Sequence, residues 1–173
     1  MGDSFFIYLR QLELIAFFSG YPLLYVVIMV MAGNQPVRNN FKSRMVLLLP
    51  FTYAFVGSLF LGLQLKNLYP DYSIENIKGS LQLPFLTAWA LLSLVFWLPA
   101  IGRRTVLSLA HSLIFFFLLV RDLFQQLSTS SVDKDMIRND MKIYSISLLL
   151  NMGSFAFLVL LSFLFSRYKR TKS

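Results

Sequence analysis

Three side chains in this sequence can do chemistry in an apolar setting. Arg10 and Glu13 are three residues apart, a spacing that puts them on one helical face, where they can pair. A carboxyl group held in a low dielectric titrates nearer neutral pH, which makes Glu13 a candidate proton- or cation-binding group. The plainer reading is an interfacial ion pair that sets the depth of a helix. His111 is the only histidine, with Ser108 and Ser112 beside it on the same stretch. An imidazole titrates near physiological pH and can relay protons, or it can stay neutral and hydrogen-bond across a helix interface. No acidic residue neighbours it in its apolar tract, which favours the second reading.

Composition removes most other chemistry. There is no cysteine, hence no disulfide, thiol nucleophile or thiolate metal site. A single histidine without cysteine does not make a zinc cage. No Gly-rich phosphate loop, catalytic triad, metal-ligand spacing or paired-histidine haem arrangement occurs. The sequence therefore predicts no catalytic residue, cofactor or metal, and a chain that is not an enzyme.

The elements that must position these residues follow from hydropathy. Hydrophobic residues make up 57% of the 173, charged residues only 14%, and the mean hydropathy is +0.64. A soluble domain carries about 25% charged residues to cover its surface. A bilayer span needs about 20 apolar residues, since a helix rises 1.5 Å per residue through a core of roughly 30 Å. Five tracts qualify: 14–32, 45–65, 83–101, 105–120 and 143–166. Backbone groups cannot stay unpaired in lipid, so each is expected to be a helix. Tracts three and four are divided only by Ile101-Gly102-Arg103-Arg104, and Pro99 and Gly102 predict a tight helical hairpin there. The fold class is thus all-α: one membrane-embedded bundle of five transmembrane helices. The fourth tract is the shortest, so a four-span arrangement with that tract re-entrant is the alternative.

Orientation follows from lysine and arginine placement. The loop at 33–44, the turn at Arg103-Arg104 and the tail from Arg167 share one side in a five-span chain, with a net charge of +9 and no carboxylate. The other side carries all eight carboxylates and a net −1, which together reproduce the overall +8. This predicts the N-terminus outside and the C-terminus in the cytoplasm. Four spans would put the basic tail on the wrong side. A pI near 9.9 also suggests nucleic-acid binding, but the cations are spread over short loops with no domain to form a groove. The tail is instead expected on anionic lipid headgroups. Asp3 stands where a cleavable signal has a basic region, so the first span is expected to be retained. The absence of an Asn-x-Ser/Thr sequon points to a bacterial inner membrane.

The soluble parts are short. Ser131 or Asp133 can cap a helix running on into the fifth span, and Arg121–Gln126 can extend the fourth outward, giving an extracytoplasmic stub over about 121–142. Met136, Ile137 and Met141 would form one stripe on it, either a solvated connector or a docking surface. Within the spans, Ala54, Ser58 and Gly62 recur at i, i+4, i+8, a small-residue stripe that lets another backbone approach. Ser147, Asn151 and Ser154 form a polar seam suited to interhelical hydrogen bonds. Pro22 and Pro50 are kink points.

Three functional readings result. The first is a non-enzymatic subunit of a larger membrane complex (secretion, motility or energised envelope machinery), anchoring or scaffolding other subunits. The second is a small oligomeric ion or proton channel or transporter, with Glu13, His111 or Asn151 in the path. The third, an intramembrane enzyme acting on lipid, lacks convergent acid, base or nucleophile groups.

Overall fold

The computed structural model describes residues 11–33, 40–70, 72, 83–128 and 134–171. Arg10, Ser131 and Asp133 lie outside that set. Among the described residues the chain is all-helical, without a strand. Helix α1 spans Gln11–Ala32, α2 Asn40–Leu68, α3 Pro84–Trp97, α4 Thr105–Ser128 and α5 Lys134–Thr171. Four of them, α1, α2, α4 and α5, are long and apolar enough to cross a membrane.

Two proline effects shape the bundle. Pro22 has no N–H to give to the carbonyl of Phe18, and α1 turns at Ser19-Gly20 before resuming at Tyr21. Pro50 is buried inside α2, which continues through it. The third tract departs from the uninterrupted span expected over 83–101. It is α-helical over Pro84–Leu91, 3₁₀ over Leu92–Trp97, extended at Leu98, and helical again over Pro99–Gly102. Leu98 has ψ 126°, as a residue before proline must avoid the helical region. Ser93 donates to the carbonyl of Ala90 at 2.6 Å, and its hydroxyl occupies the space that a Cβ on Gly57 would need. The 3₁₀ stretch is thereby seated against α2. Pro84–Trp97 rises about 24 Å, less than a hydrocarbon core of about 30 Å. The fourth tract, expected to end near 120, runs 24 residues to Ser128. So the short element is the third tract, not the fourth.

Ring contacts fix the helix directions. Phe17 meets Phe60 and Tyr21 meets Tyr53, so α1 and α2 are antiparallel. Gln11 reaches Asp122, Phe18 stacks on Phe115 and Tyr21 meets Ser108, so α1 and α4 are antiparallel too. Helices α2 and α4 therefore run the same way. The chain leaves α2 at one end of the bundle and enters α4 at the other. Arg44 with Ser166 and Phe55 with Phe157 make α5 antiparallel to α2.

The core is aromatic. Phe18, Tyr21, Tyr53, Phe60 and Phe115 are almost completely buried. Ring centroids lie 4.6 to 5.6 Å apart, each good pair adding about 0.5–1.5 kcal/mol beyond its area. Outside, large apolar side chains face outward along every long helix, among them Val30, Phe117, Leu149 and Phe165. So much outward apolar surface suits hydrocarbon, not water.

Candidate functional site

His111 on α4 is half-buried where α2, α3 and α4 meet. Its Nδ1 lies 2.8 Å from the Tyr53 hydroxyl of α2, either atom donating according to the tautomer. The Trp89 indole of α3 stacks flat on the imidazole, 4.6 Å away and 5° from parallel, and its Nε1–H donates to the His111 carbonyl at 3.2 Å. Tyr53 and Phe96 stand edge-on to the ring at 5.5 and 5.8 Å, and Phe115 is tilted at 6.4 Å. Nε2 is buried without a hydrogen-bond partner. Proton relay needs a chain of donors and acceptors leading to water. Tyr53, the side chain that meets the ring nitrogen, is itself fully buried, so the step from Nδ1 leads further inside. The geometry makes His111 a lock between α2, α3 and α4.

A second polar cluster joins α1 to α5. The turn in α1 leaves the Gly20 N–H outside the helix ladder, and it donates to Ser147 Oγ at 2.8 Å. Asn151 Nδ2 donates to the Phe17 carbonyl and to the Ser147 carbonyl, both at 2.8 Å. Both of its amide hydrogens are thus used, while Oδ1 is buried without a partner. Ser154 is buried on the same seam. Gly20 permits the contact: a Cβ there would stand 2.6 Å from the Leu148 backbone nitrogen. Nearby, the Tyr21 hydroxyl meets Ser108 Oγ at 2.7 Å, tying α1 to α4.

The small-residue stripe on α2 divides. Ala54 is fully buried, Ser58 accepts from the Trp97 indole N–H at 3.0 Å, and Gly62 is exposed with nothing within 4 Å of a Cβ position. The seam on α5 and the inner part of this stripe are therefore used within the chain.

At the far end, Gln11 donates to the Asp122 carboxylate, which lies 3.6 Å from Arg121. Asp140 of α5 is buried close by, and Glu13 is half-buried on α1. The anticipated partner of Glu13, Arg10, falls outside the described residues. The backbone at Met136 and Ile137 is helical, and Met141 is exposed. Among the described residues no group of three potential ligands could hold a metal ion.

No family model, curated protein or solved structure matches the chain. The reading of function rests on the residues alone. Sequence reasoning singled out His111, Ser147, Asn151 and Ser154, but the structure does not gather them into one site. It sets His111 against α2 and α3, and Ser147 and Asn151 against α1, with Ser154 buried on the same helix. What the sequence did not reveal are the walls of the histidine site, Tyr53, Trp89 and Phe96, and the role of Gly20. The walls come from two other helices, with no local signal in the chain. Gly20 had one, the Ser19-Gly20-Tyr21-Pro22 interruption of an apolar tract.

Proposed function

We propose that this chain is a non-enzymatic integral membrane subunit of a larger assembly, of the secretion, motility or energised-envelope kind, in a bacterial inner membrane. It crosses the bilayer five times, with the N-terminus outside and the C-terminus cytoplasmic. The parallel course of α2 and α4 supports the fifth crossing, because the segment between them must return from one end of the bundle to the other. Pro84–Trp97 supplies about 24 Å of that return, and the turn Pro99–Gly102 folds back beside Phe96 before α4 begins.

The observation that carries the subunit reading is how the polar groups are used. His111, Ser108, Ser147 and Asn151 are turned inward and spent on helix–helix contacts, behind stacked aromatic rings. A conducting path needs a continuous wet polar face, and an enzyme needs convergent groups open to substrate. Neither is supported by an interior closed by Phe18, Tyr21, Tyr53 and Phe115. What such a molecule presents to its surroundings is shape, apolar surface and two charged ends.

The test is extraction of C-terminally tagged protein from its native membrane in a mild amphiphile, followed by particle mass and identification of co-purifying chains. A large particle with stoichiometric partners is expected. A stable monomer without partners would defeat the proposal. A homo-oligomer alone would replace it with the channel reading and make ion flux in liposomes the next assay.

A further inference from the structure

The basic end of the bundle holds a feature that the subunit reading does not use. Between α2 and α5 lies a narrow cleft of about 30 Å³, lined by Arg44, Met45 and Leu48 from one helix and Val159, Ser162 and Phe163 from the other. Its lining is mixed. Arg44 is exposed and its Nη1 donates to Ser166 Oγ at 3.2 Å, across the gap between the two helices, with Ser162 one turn away on α5. Met45, Leu48, Val159 and the exposed Phe163 supply the apolar part. The enclosed volume is on the scale of two waters, so it shuts out a solute molecule, and a slender chain would lie along its outer side past the exposed Phe163.

Charge completes the description. Lys42, Arg103, Arg104 and Arg167 are exposed at this same end, where α2 and α4 begin and α5 reaches Arg44. The segments assigned to that side contain no aspartate or glutamate. A guanidinium presents five donors in a planar fork suited to phosphate oxygens, and Ser166 occupies one of them. Among the described residues of this end there is no aspartate or glutamate to compete for the others.

We infer that Arg44 and the α2–α5 cleft form a binding site for one anionic glycerophospholipid, its phosphate on the Arg44 fork and one acyl chain laid along Met45, Leu48, Val159 and Phe163. This is a site of defined stoichiometry, distinct from diffuse attraction of the C-terminal tail to headgroups. Only the naming of the leaflet, cytoplasmic, rests on the proposed topology. Basic pockets between spanning helices are suited to such lipids because they satisfy headgroup and chain together.

The test is native mass spectrometry of the full chain in detergent, titrated with dioleoyl phosphatidylglycerol, with dioleoyl phosphatidylcholine, or with phosphatidylglycerol plus inorganic phosphate. One retained phosphatidylglycerol per chain is expected, with little phosphatidylcholine and no displacement by inorganic phosphate. Arg44→Gln should weaken retention about tenfold, the loss of one charge-assisted contact. Arg44→Lys, a point charge without the fork, should fall between. Ser162→Leu, which fills the cleft at constant charge, should also weaken it, and Arg104→Gln, an equal loss of charge outside the cleft, should not. Equal retention of the two lipids, or equal loss with Arg104→Gln, would overturn the site. Displacement by inorganic phosphate would make it a free-anion site and overturn the lipid assignment. The measurement is made in detergent and is indifferent to which way the bundle faces, so its failure is separable from failure of the topology.

Discussion

Gly20→Ala is the perturbation whose consequence can be worked most fully from the structure. A methyl group at this position would stand 2.6 Å from the Leu148 nitrogen, 2.7 Å from its Cα and 2.7 Å from the Ser147 carbonyl carbon. These are backbone atoms of α5, which no rotamer change can move aside. Carbon atoms are comfortable at about 3.5–4.0 Å, so α1 and α5 must part by about 1 Å. That stretches the Gly20–Ser147 and Asn151–Phe17 hydrogen bonds, both 2.8 Å, past useful length. Interhelical hydrogen bonds in membranes average about 0.6 kcal/mol each, and overpacking costs about 1–3 kcal/mol. Replacing glycine by alanine returns about 0.4–1 kcal/mol through the unfolded chain. The expected net loss is about 2–3 kcal/mol. Gly62→Ala and Gly153→Ala are the matched controls, since a Cβ at either meets nothing within 4 Å. Both should be neutral or stabilising by up to about 1 kcal/mol. The assay is reversible unfolding in mixed micelles with increasing dodecyl sulfate, followed by circular dichroism. A Gly20→Ala midpoint within about 0.5 kcal/mol of Gly153→Ala would refute the close approach of α1 to α5.

Three further outcomes are expected. Tyr53→Phe leaves the His111 Nδ1 without its partner inside an aromatic enclosure and should cost about 1–2 kcal/mol in the same unfolding assay; a wild-type midpoint would show that the contact carries no weight. Asn151→Asp exchanges an amide donor for an acceptor facing the carbonyls of Phe17 and Ser147, so it should destabilise more than Asn151→Leu, and the reverse ranking would contradict the seam. In lipid vesicles, the variant keeping only Trp97, which is exposed on the bundle surface, should be quenched by brominated acyl chains more strongly than the variant keeping only Trp89, which stacks on His111; equal quenching would be inconsistent with the packing of α3.

The helices were legible because a spanning element must be about 20 residues of apolar side chain whatever it touches. That criterion placed α1, α2, α4 and α5. It did not reveal the 3₁₀ course of Leu92–Trp97, which depends on tertiary contact: the Ser93 hydroxyl against Gly57, and Phe96 edge-on to Tyr53. Pro99 was visible as a stop, but it acts one residue earlier, through the extended Leu98. Nor does hydropathy separate a polar seam that binds another protein from one that binds a neighbouring helix of the same chain. Ser147 and Asn151 have the composition of an interface; only the turn at Gly20, which frees an N–H towards Ser147, shows that α1 occupies it. His111 gave the opposite difficulty. A lone histidine reads the same in sequence whether a proton path or a ring of aromatics surrounds it. Its surroundings come from residues 58 and 22 positions away.

Whether the third tract crosses the membrane decides the number of crossings and the side on which the basic end lies. The chain has no native cysteine, so single cysteines report without background. Tyr69 after α2, Arg103 before α4 and Asn139 near the start of α5 are all exposed and can each be replaced by cysteine. Labelling intact cells with a membrane-impermeant maleimide should modify the cysteines at 69 and 139, and the one at 103 only after permeabilisation. If 69 and 103 label from the same side, the third tract does not cross and the five-crossing account is wrong.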